Sequence, residues 1–452
     1  MSVTGASART FRSLQRHYNY RLFFAGQSIS VSGTWVQNIA QAWLIVGLTH
    51  SPTGSPLALG ALAVFQFLPY TVFGLLGGPL VDRFDKRLTI VATQTTLMLS
   101  ATALAILALS NRATVWEVFL LAAVGGAVQV LDMPARQAFV FEMVGREELP
   151  NAVSLNSSLF NMARAVGPAL AGVLIATVGV ALCFAINAAS FLAVIASLLL
   201  MRTGELFRTR HDRDQGIFRS LGEGMVWVVR TRAAWLTCGL LLVVSTLGIN
   251  FSVLLPVLAS VTLHSGPVVF GILTACFGFG ALAGALFTAT VGRPSWHLLL
   301  GGGAAFSALL MVLAPLHWTV ACGAVLVLTG VAFTTYTSMS NTTVQLAAPD
   351  RLRGRAMAVY GYIFSGVPAP VGGFLAGWLS SVGGTELAFL VGGGGSLTAV
   401  AAAVGVRRGV RPLLSRRPAR PSSATSGRAT SSYGSATPAP AMAASSSTSD
   451  AK

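Results

Sequence analysis

The sequence predicts an all-α integral membrane protein with twelve transmembrane helices in two pseudo-symmetric bundles of six. Composition gives the first reason: 54% of the 452 residues are hydrophobic, 10% are charged, and the mean hydropathy is +0.70. An ordinary soluble domain carries about 25% charged residues. The second reason is that long apolar runs recur along the chain, separated by short polar or Gly/Pro turns. The third is an internal repeat that relates the two halves of the chain.

Each apolar run is long enough to cross a bilayer, which takes about 20 residues of helix. The predicted spans are 22–48, 56–78, 88–110, 115–134, 154–178, 180–201, 235–262, 267–291, 296–314, 318–344, 356–381 and 385–406.

The basic residues predict the orientation of these spans. With the N-terminus inside, 28 of the 30 Lys and Arg residues fall on the inner side, Arg112 falls outside, and Arg164 lies within a span. Because Lys and Arg are retained on the cytoplasmic side, we expect a multi-pass protein of the cell inner (plasma) membrane with both termini cytoplasmic.

The longest hydrophilic interruption, residues 202–232, lies midway between two sets of six spans. A shift of 205 residues places the segment 167–172 on 372–377 and Gly179 on Gly384. Repeated halves indicate a transporter whose site lies between them. The predicted organisation is an N-terminal amphipathic lead-in (1–21), a first bundle (22–201), a cytoplasmic linker (202–234), a second bundle (235–406) and a disordered cytoplasmic tail (407–452).

The most distinctive stretch is the turn after the second span, which packs five charges into the six residues 82–87. We expect Gly78 to end the span and to let another backbone approach closely. Asp82 could then cap the N-terminus of another helix, and Arg83, Lys86 and Arg87 need acidic partners. The alternative is that these basic residues only hold the loop in the cytoplasm.

Asp132 and Arg164 are the ionisable residues expected deepest within the spans. Their predicted depths allow them to pair with each other, or Asp132 to pair with the arginines of the charged turn. Either the partner changes during transport or the pair is static, and the sequence leaves both open. A carboxylate that titrates within the membrane would suit proton coupling, and Asp132 and Glu142 come closest to that position.

A polar stripe runs along the first span, at spacings of three and four residues that place its members on one helix face. It either lines a cavity or bonds to neighbouring helices. Side chains from four positions in other spans are added to the candidate cavity. The candidates are Gln27, Ser30, Thr34, Asn38 and Gln41 in the stripe, with Gln66, Asn250, Tyr336 and Asn341 elsewhere. A site of amides, hydroxyls and rings favours a bulky, mostly apolar solute.

Several motifs together resemble the major facilitator superfamily over residues 10–410. The segment from Gly78 to Arg87 is similar to that family's loop motif, and Gly167-Pro168 with Gly172 is similar to its fifth-helix antiporter motif. The branch that contains enterobactin-type siderophore exporters and macrolide efflux proteins, the transmembrane secretion effector type, is indicated by further matches. These are Gly33-Thr34-Trp35-Val36-Gln37, Ala40-Gln41-Ala42-Trp43-Leu44, Asp82-Arg83-Phe84-Asp85, Pro134-Ala135-Arg136-Gln137 and Glu148-Leu149-Pro150-Asn151-Ala152.

The resemblance implies alternating access driven by an ion gradient, with the charged turn latching the cytoplasmic side. Asp82 would then meet the inner end of the eleventh span near Gly354, and Arg83 or Arg87 would meet Asp132. Asp85 stands where the family has a glycine, and we expect it to tolerate a left-handed backbone.

The leading functional hypothesis is export of drugs or natural products, with proton antiport expected by analogy and antibiotic resistance as the phenotype. Alternatives are a siderophore exporter, a metabolite importer and a transport-inactive scaffold. The expected partners are a small-molecule substrate, the lipid bilayer and a proton or other ion gradient, and we expect a monomer. The six scattered His residues, the lone Cys residues and the absence of a phosphate-binding loop argue against an enzyme, a metal site, a cofactor and ATP-driven transport. No aromatic-interleaved basic patch for nucleic acid occurs.

Overall fold

Long apolar runs fold into helices because a helix satisfies its own backbone hydrogen bonds in lipid. The computed structural model describes residues 11–49, 51–207, 217–349 and 351–407, all within one structural unit. No β-strand occurs in these ranges. The α-helices are Arg12–Arg16, Tyr18–Thr49, Gly54–Val81, Lys86–Leu109, Val115–Leu199, Ile217–Arg230, Arg232–Gly248, Phe251–Val257, Pro267–Val291, Trp296–Leu313, Thr319–Ala347, Arg353–Gly361 and Pro368–Arg407.

Two of these helices contain sharp turns at glycines. Val115–Leu199 is interrupted at Gly145 (φ 68°) and Gly179 (φ 80°), and Pro368–Arg407 is interrupted at Gly384 (φ 67°). Positive φ at these values is accessible to glycine at little cost. The fourth, fifth and sixth spans are therefore joined by single-glycine turns, and the eleventh and twelfth are joined by the pair Gly383-Gly384.

Eight segments in the described ranges are long and apolar enough to cross a membrane. Two of the eight, Val115–Leu199 and Arg353–Val406, contain the glycine turns and so comprise more than one crossing. Tyr18–Thr49 is not among the eight although it has 32 residues, and it carries the polar stripe. Counted with these divisions, the helix lengths support the twelve predicted spans.

The predicted boundaries err where a helix continues beyond its apolar part. The helix of the fourth span continues to Gly145, past the predicted end at residue 134, and the fifth begins directly after it. The first span begins at Tyr18, preceded by the short helix Arg12–Arg16 in the predicted lead-in. The predicted linker contains the helix Ile217–Arg230. Residues 1–10, 208–216 and 408–452, with most of the predicted tail, lie outside the described ranges.

Irregular helix distinguishes two spans of the second half. The seventh span breaks between Arg232–Gly248 and Phe251–Val257 and ends in the π-helix Leu258–Thr262, and the eleventh has a π-helix at Tyr362–Gly366. Such helices leave some carbonyl groups without their usual i+4 donors. These carbonyls can therefore accept hydrogen bonds from neighbouring helices.

The charged N-terminal helix is held against the first half. Glu148 lies 2.7 Å from Arg12 Nε and 3.0 Å from Arg16 Nη1, and Ser13 Oγ donates to Asn151 Oδ1 at 2.6 Å. The helix Arg12–Arg16 is therefore docked on the junction of the fourth and fifth spans.

Candidate transport pathway and gate

Two equivalent pairs of glycines bring the halves together at one end of the molecule. It is called the Pro56 end here because Pro56 lies in the first turn of Gly54–Val81, and Pro267 begins Pro267–Val291 at the same end. A Cβ at Gly172 would lie 2.7 Å from the Pro267 carbonyl oxygen and 3.0 Å from Gly271 Cα. The fifth and eighth spans thus meet backbone to backbone.

The second contact is the equivalent one in the repeat. A Cβ at Gly377 would lie 2.5 Å from the Pro56 carbonyl oxygen and 2.8 Å from Gly60 Cα. Gly377 corresponds to Gly172 by the shift of 205 residues, so the second and eleventh spans repeat the packing of the fifth and eighth.

Polar and aromatic contacts extend this interface between the halves. Thr71 Oγ1 donates to the Gly366 carbonyl at 2.6 Å, and Tyr362 Oη donates to the Thr71 carbonyl at 2.5 Å. The Gly366 carbonyl lacks its usual i+4 donor because Pro370 has no N–H, so it can accept from the second span. Trp43 stacks on Phe270 with ring centroids 6.0 Å apart. Thr71 was not among the residues predicted from the sequence.

The opposite end, called the Asp82 end, is packed differently. The buried core near it contains residues of the first half alone, including Tyr20, Phe23, Phe139, Met143 and Leu198. The large core includes residues from both halves towards the Pro56 end, such as Ala171 and Phe270, and continues to the Asp82 end in the second half alone, for example at Ala348 and Ala356. The halves therefore share a core towards the Pro56 end, and the first half has a separate core at the Asp82 end.

The charged turn differs from its predicted geometry in two ways. The second span continues through Gly78 to Val81, and a Cβ at Gly78 would meet no atom within 4 Å, so Gly78 neither ends the helix nor admits a neighbour. The close approach belongs to Gly77, where a Cβ would collide with the Val130 carbonyl oxygen. Asp85 has φ −64° and is not left-handed: its side chain caps the third span by accepting from the Leu88 amide at 2.9 Å.

The basic residues of the turn find partners other than the predicted Asp132. Lys86 is buried and its Nζ lies 3.0 Å from Glu142 Oε1 on the fourth span. Arg87 Nε donates to the Leu198 carbonyl at 2.7 Å, near the C-terminal end of the sixth span. A cation near the last carbonyls of a helix is favourable. Asp82 and Arg83 are exposed, and a Cβ at Gly354 would meet no atom within 4 Å.

Asp132 lies in a buried polar network within the first half. Its Oδ2 pairs with Arg136 Nε at 2.7 Å, one helical turn along the same span, and its Oδ1 accepts from Thr93 Oγ1 at 2.6 Å and Gln94 Nε2 at 2.9 Å. Asp132 was predicted to pair with Arg164 or with the arginines of the charged turn, and neither pairing occurs in this structure. Arg164 Nη2 instead donates to Asn161 Oδ1 at 2.7 Å. The Asp132 partner is fixed by helix geometry, since residues four apart share a face.

The fifth-span motif packs helices together. A Cβ at Gly167 would lie 2.7 Å from Trp35 Cβ on the first span, and the Pro168 carbonyl faces Gly271 across the interface. Gly167 and Pro168 thus connect the first, fifth and eighth spans.

Much of the polar stripe bonds to neighbouring helices. Gln27 is buried and donates to Asn156 Oδ1 at 2.8 Å, and buried Gln41 donates to the Val118 carbonyl at 3.4 Å. Ser30 is buried, and its carbonyl accepts from Thr34 Oγ1 at 2.9 Å. Asn38 is exposed. The alternative of helix–helix contacts therefore describes Gln27 and Gln41.

A related contact on the same span was missed in the sequence. Gln37 accepts from Asn187 Nδ2 on the sixth span at 2.6 Å. Gln37 lies in the quoted Gly33-Thr34-Trp35-Val36-Gln37 motif, but one sequence does not reveal its partner 150 residues away.

The remaining cavity candidates have mixed positions. Tyr336 was predicted to line the cavity, but it is 0% exposed and its ring lies beside Gly303 inside the second half. Asn250 is buried at the break of the seventh span and donates to the Thr246 carbonyl at 2.8 Å. Gln66 and Asn341 are half-buried. In the described ranges no three His, Cys, Asp or Glu residues are placed to hold a metal ion.

Known protein structures with this arrangement are membrane transporters. A peptide transporter POT in complex with sulfate superposes with a TM-score of 0.69 at 14% identity, covering 87% of this chain and 94% of that one. A bacterial homologue of the human lysosomal transporter Spinster gives a TM-score of 0.64 at 14% identity, over 86% and 94% of the two chains. At this level of identity the similarity establishes the fold.

Sequence relatives are closer. Macrolide efflux protein A of Streptococcus pyogenes is 27% identical over 64% of this chain and 71% of its own length. The multidrug efflux pump Tap of Mycolicibacterium fortuitum is 28% identical over 79% and 88%. The staphyloferrin A transporter of Staphylococcus aureus is 25% identical over 58% and 65%.

A family model described as transmembrane secretion effector matches residues 10–419. This covers most of the chain, including both halves and the charged turn. The protein therefore belongs to the transmembrane secretion effector family of the major facilitator superfamily.

Proposed function

We propose that the protein is a secondary active exporter of bulky, mostly apolar small molecules that works by alternating access. The observation that carries this proposal is the asymmetry between its two ends. Equivalent glycine contacts join the halves at the Pro56 end, whereas the first half has a separate core at the Asp82 end. If the N-terminus is cytoplasmic, as the basic residues predict, this arrangement receives its solute from the cytoplasm.

The substrate class rests on relatives and on the neutral character of the candidate pathway. Two relatives are named as macrolide and multidrug efflux proteins. The candidate side chains that are exposed or half-buried, Asn38, Thr34, Gln66 and Asn341, carry hydroxyl and amide groups. Neutral groups can orient a large solute without binding a small ion tightly. A macrolide fits this description.

Proton antiport is the proposed source of energy. The two candidate carboxylates, Asp132 and Glu142, are ion-paired with Arg136 and Lys86. Protonation of either carboxylate would remove the charge that its cation attracts and release the pair. A proton could therefore change the packing at the Asp82 end of the fourth span.

A siderophore exporter is the second candidate, favoured by one specific observation. Arg164 places a guanidinium within the fifth span, and the partner of its Nη2 is the neutral amide of Asn161. An anionic solute could therefore bind at Arg164 without displacing a carboxylate from that nitrogen. The relative named as a staphyloferrin A transporter supports the same alternative.

The test is drug-driven proton movement in proteoliposomes that contain the purified protein and a pH-sensitive dye. We expect a macrolide to release protons from wild-type vesicles and an uncoupler to abolish the signal. Arg164→Ala separates the candidates, because it should leave macrolide transport intact and abolish transport of an anionic siderophore. The absence of movement with either solute class would overturn the proposal.

A further inference from the structure

A groove lies on the lateral surface of the second half, between the ninth and tenth spans. Its volume is ≈480 Å³. Gly301, Ala305, Ala308 and Val312 line it from the ninth span, and Leu328 and Thr335 line it from the tenth. The four residues of the ninth span are exposed. The groove lies between two membrane-spanning helices, so it faces lipid.

The groove exists because the residues of the ninth span on this face are small. Gly301, Ala305, Ala308 and Val312 recur at spacings of four, three and four residues, which places them on one side of the helix. A Cβ at Gly301 would meet no atom within 4 Å. The space is therefore open, and a larger side chain could enter it without displacing the protein.

The length of the groove matches one leaflet of a bilayer. Eleven residues separate Gly301 from Val312, and a rise of 1.5 Å per residue gives roughly 17 Å. Half of the hydrocarbon core is about 15 Å. One acyl chain from the leaflet at the Asp82 end could therefore lie along the groove.

Two side chains that can contact a phosphate lie near the end of the groove closest to the Asp82 end. His297 precedes Gly301 by one turn on the same helix face, and Arg293 lies in the turn before this helix; both are exposed. No Asp or Glu occurs between Glu223 and Asp350. The second half therefore offers these two residues no acidic partner from its seventh to tenth spans, and a lipid phosphate at the interface is complementary to them.

We propose that the groove is a binding site for an anionic phospholipid. One acyl chain occupies the space between the ninth and tenth spans, and the phosphate contacts Arg293 and His297. Lipid tails are apolar wherever they lie, so the selectivity comes from packing in the groove and from the charge near this end of it. This site is independent of the transported solute.

The proposal can be tested by native mass spectrometry of the full chain released from nanodiscs with equal amounts of phosphatidylglycerol and phosphatidylethanolamine. We expect wild-type protein to retain phosphatidylglycerol preferentially. Arg293→Ala should lower that preference about fivefold. Ala305→Phe fills the groove and should reduce retention of both lipids. Ala401→Phe, at an exposed alanine of the twelfth span, is the matched control and should behave as wild type.

Equal retention by wild type, Ala305→Phe and Arg293→Ala would overturn the proposal. A dimer that Ala305→Phe dissociates would also overturn it, because a second copy would then occupy the groove. Thermal unfolding of each variant in the same detergent shows whether a loss of lipid reflects unfolding, and a folded Ala305→Phe variant that loses lipid supports the site.

Discussion

Lys86 and Glu142 form an ion pair where the third and fourth spans meet the Asp82 end, and their side chains are 7% and 14% exposed. Charges with this degree of burial depend on their partners, because removal of one leaves the other desolvated and uncompensated. The pair therefore fixes the start of the third span against the fourth. Arg83, three residues earlier in the same turn, is exposed.

We expect Lys86→Met to destabilise the first half by about 3 kcal/mol, since the Glu142 carboxylate would lose its cation. The measurement is the melting temperature of the detergent-purified protein. Lys86→Met combined with Glu142→Gln should recover part of the loss. Arg83→Met is the control and should melt like wild type. Equal melting temperatures for Lys86→Met and Arg83→Met would show that the ion pair does not stabilise the fold.

Asp132 is the second residue with a specific prediction. Asp132→Asn should abolish macrolide-driven proton release while macrolide binding persists, because an amide cannot take up and release a proton in the Asp132 network. Glu147→Gln, at an exposed carboxylate where the fourth and fifth spans join, should retain proton release. The measurements are the dye assay in proteoliposomes and binding of a labelled macrolide. Proton release by Asp132→Asn at the wild-type rate would exclude Asp132 as the coupling residue.

The position of Asp132 within the fourth span was predicted from the sequence, but its partner was not. The fourth span was predicted to end at residue 134, where polar residues begin, so Arg136 was assigned to a loop. The helix in fact continues to Gly145, which places Arg136 one turn beyond Asp132. Hydropathy locates the hydrocarbon boundary, whereas a helix can continue past it.

At the level of helices, small residues decide how closely the two halves approach. Gly172 with Gly271 and Gly60 with Gly377 are equivalent pairs in the repeat, and each allows two backbones to touch. Gly172 and Gly377 lie in the repeated segments found in the sequence. Their partners Gly271 and Gly60 were not predicted, because contact between distant helices has no local sequence pattern.

We expect Gly172→Val to hold the Pro56 end open, since its Cβ would lie 2.7 Å from the Pro267 carbonyl oxygen. Ala63 lies at the contact between the halves, where a Cβ at Gly373 would approach it to 2.6 Å. Ala63→Cys, in a variant without the four native cysteines, therefore reports whether this contact is closed. Membrane-impermeant maleimide should label this cysteine faster in Gly172→Val. Gly239→Val, where a Cβ meets no atom within 4 Å, is the control. Equal labelling rates would show that this contact does not close the Pro56 end.

The glycine turns were predicted better than the irregular helices. Gly179 and Gly384 coincide in the repeat and both adopt positive φ, as expected where a chain reverses between spans. The π-helix at Tyr362–Gly366 was not predicted. Its last carbonyl, that of Gly366, accepts from Thr71 in the other half, and a local sequence pattern does not show such a distant contact. Tyr336 was placed in the cavity because a hydroxyl was taken as a sign of a polar surface, yet its ring fills space beside Gly303.

Across the whole molecule, the structure represents one state of the proposed cycle. The Pro56 end is closed, and the charged turn at the Asp82 end is exposed at Asp82 and Arg83. We expect a latch between Asp82 and the start of the eleventh span near Gly354 to stabilise the closed state of the Asp82 end. A single sequence contains the residues of both states, but it does not say which contacts coexist.

Asp82→Asn tests this latch. The neutral amide should interact more weakly than the carboxylate with the positive N-terminal end of the helix Arg353–Gly361, by about 0.3–1 kcal/mol. The substitution should therefore favour the state with the Asp82 end open. A cysteine at the Gly354 position should then react faster with maleimide added from the cytoplasmic side, and macrolide efflux should slow. Glu386→Gln, at an exposed carboxylate in the first turn of the twelfth span, is the control for a lost charge. Unchanged labelling and efflux in Asp82→Asn would remove Asp82 from the gate and leave the turn with the structural roles of Lys86 and Arg87.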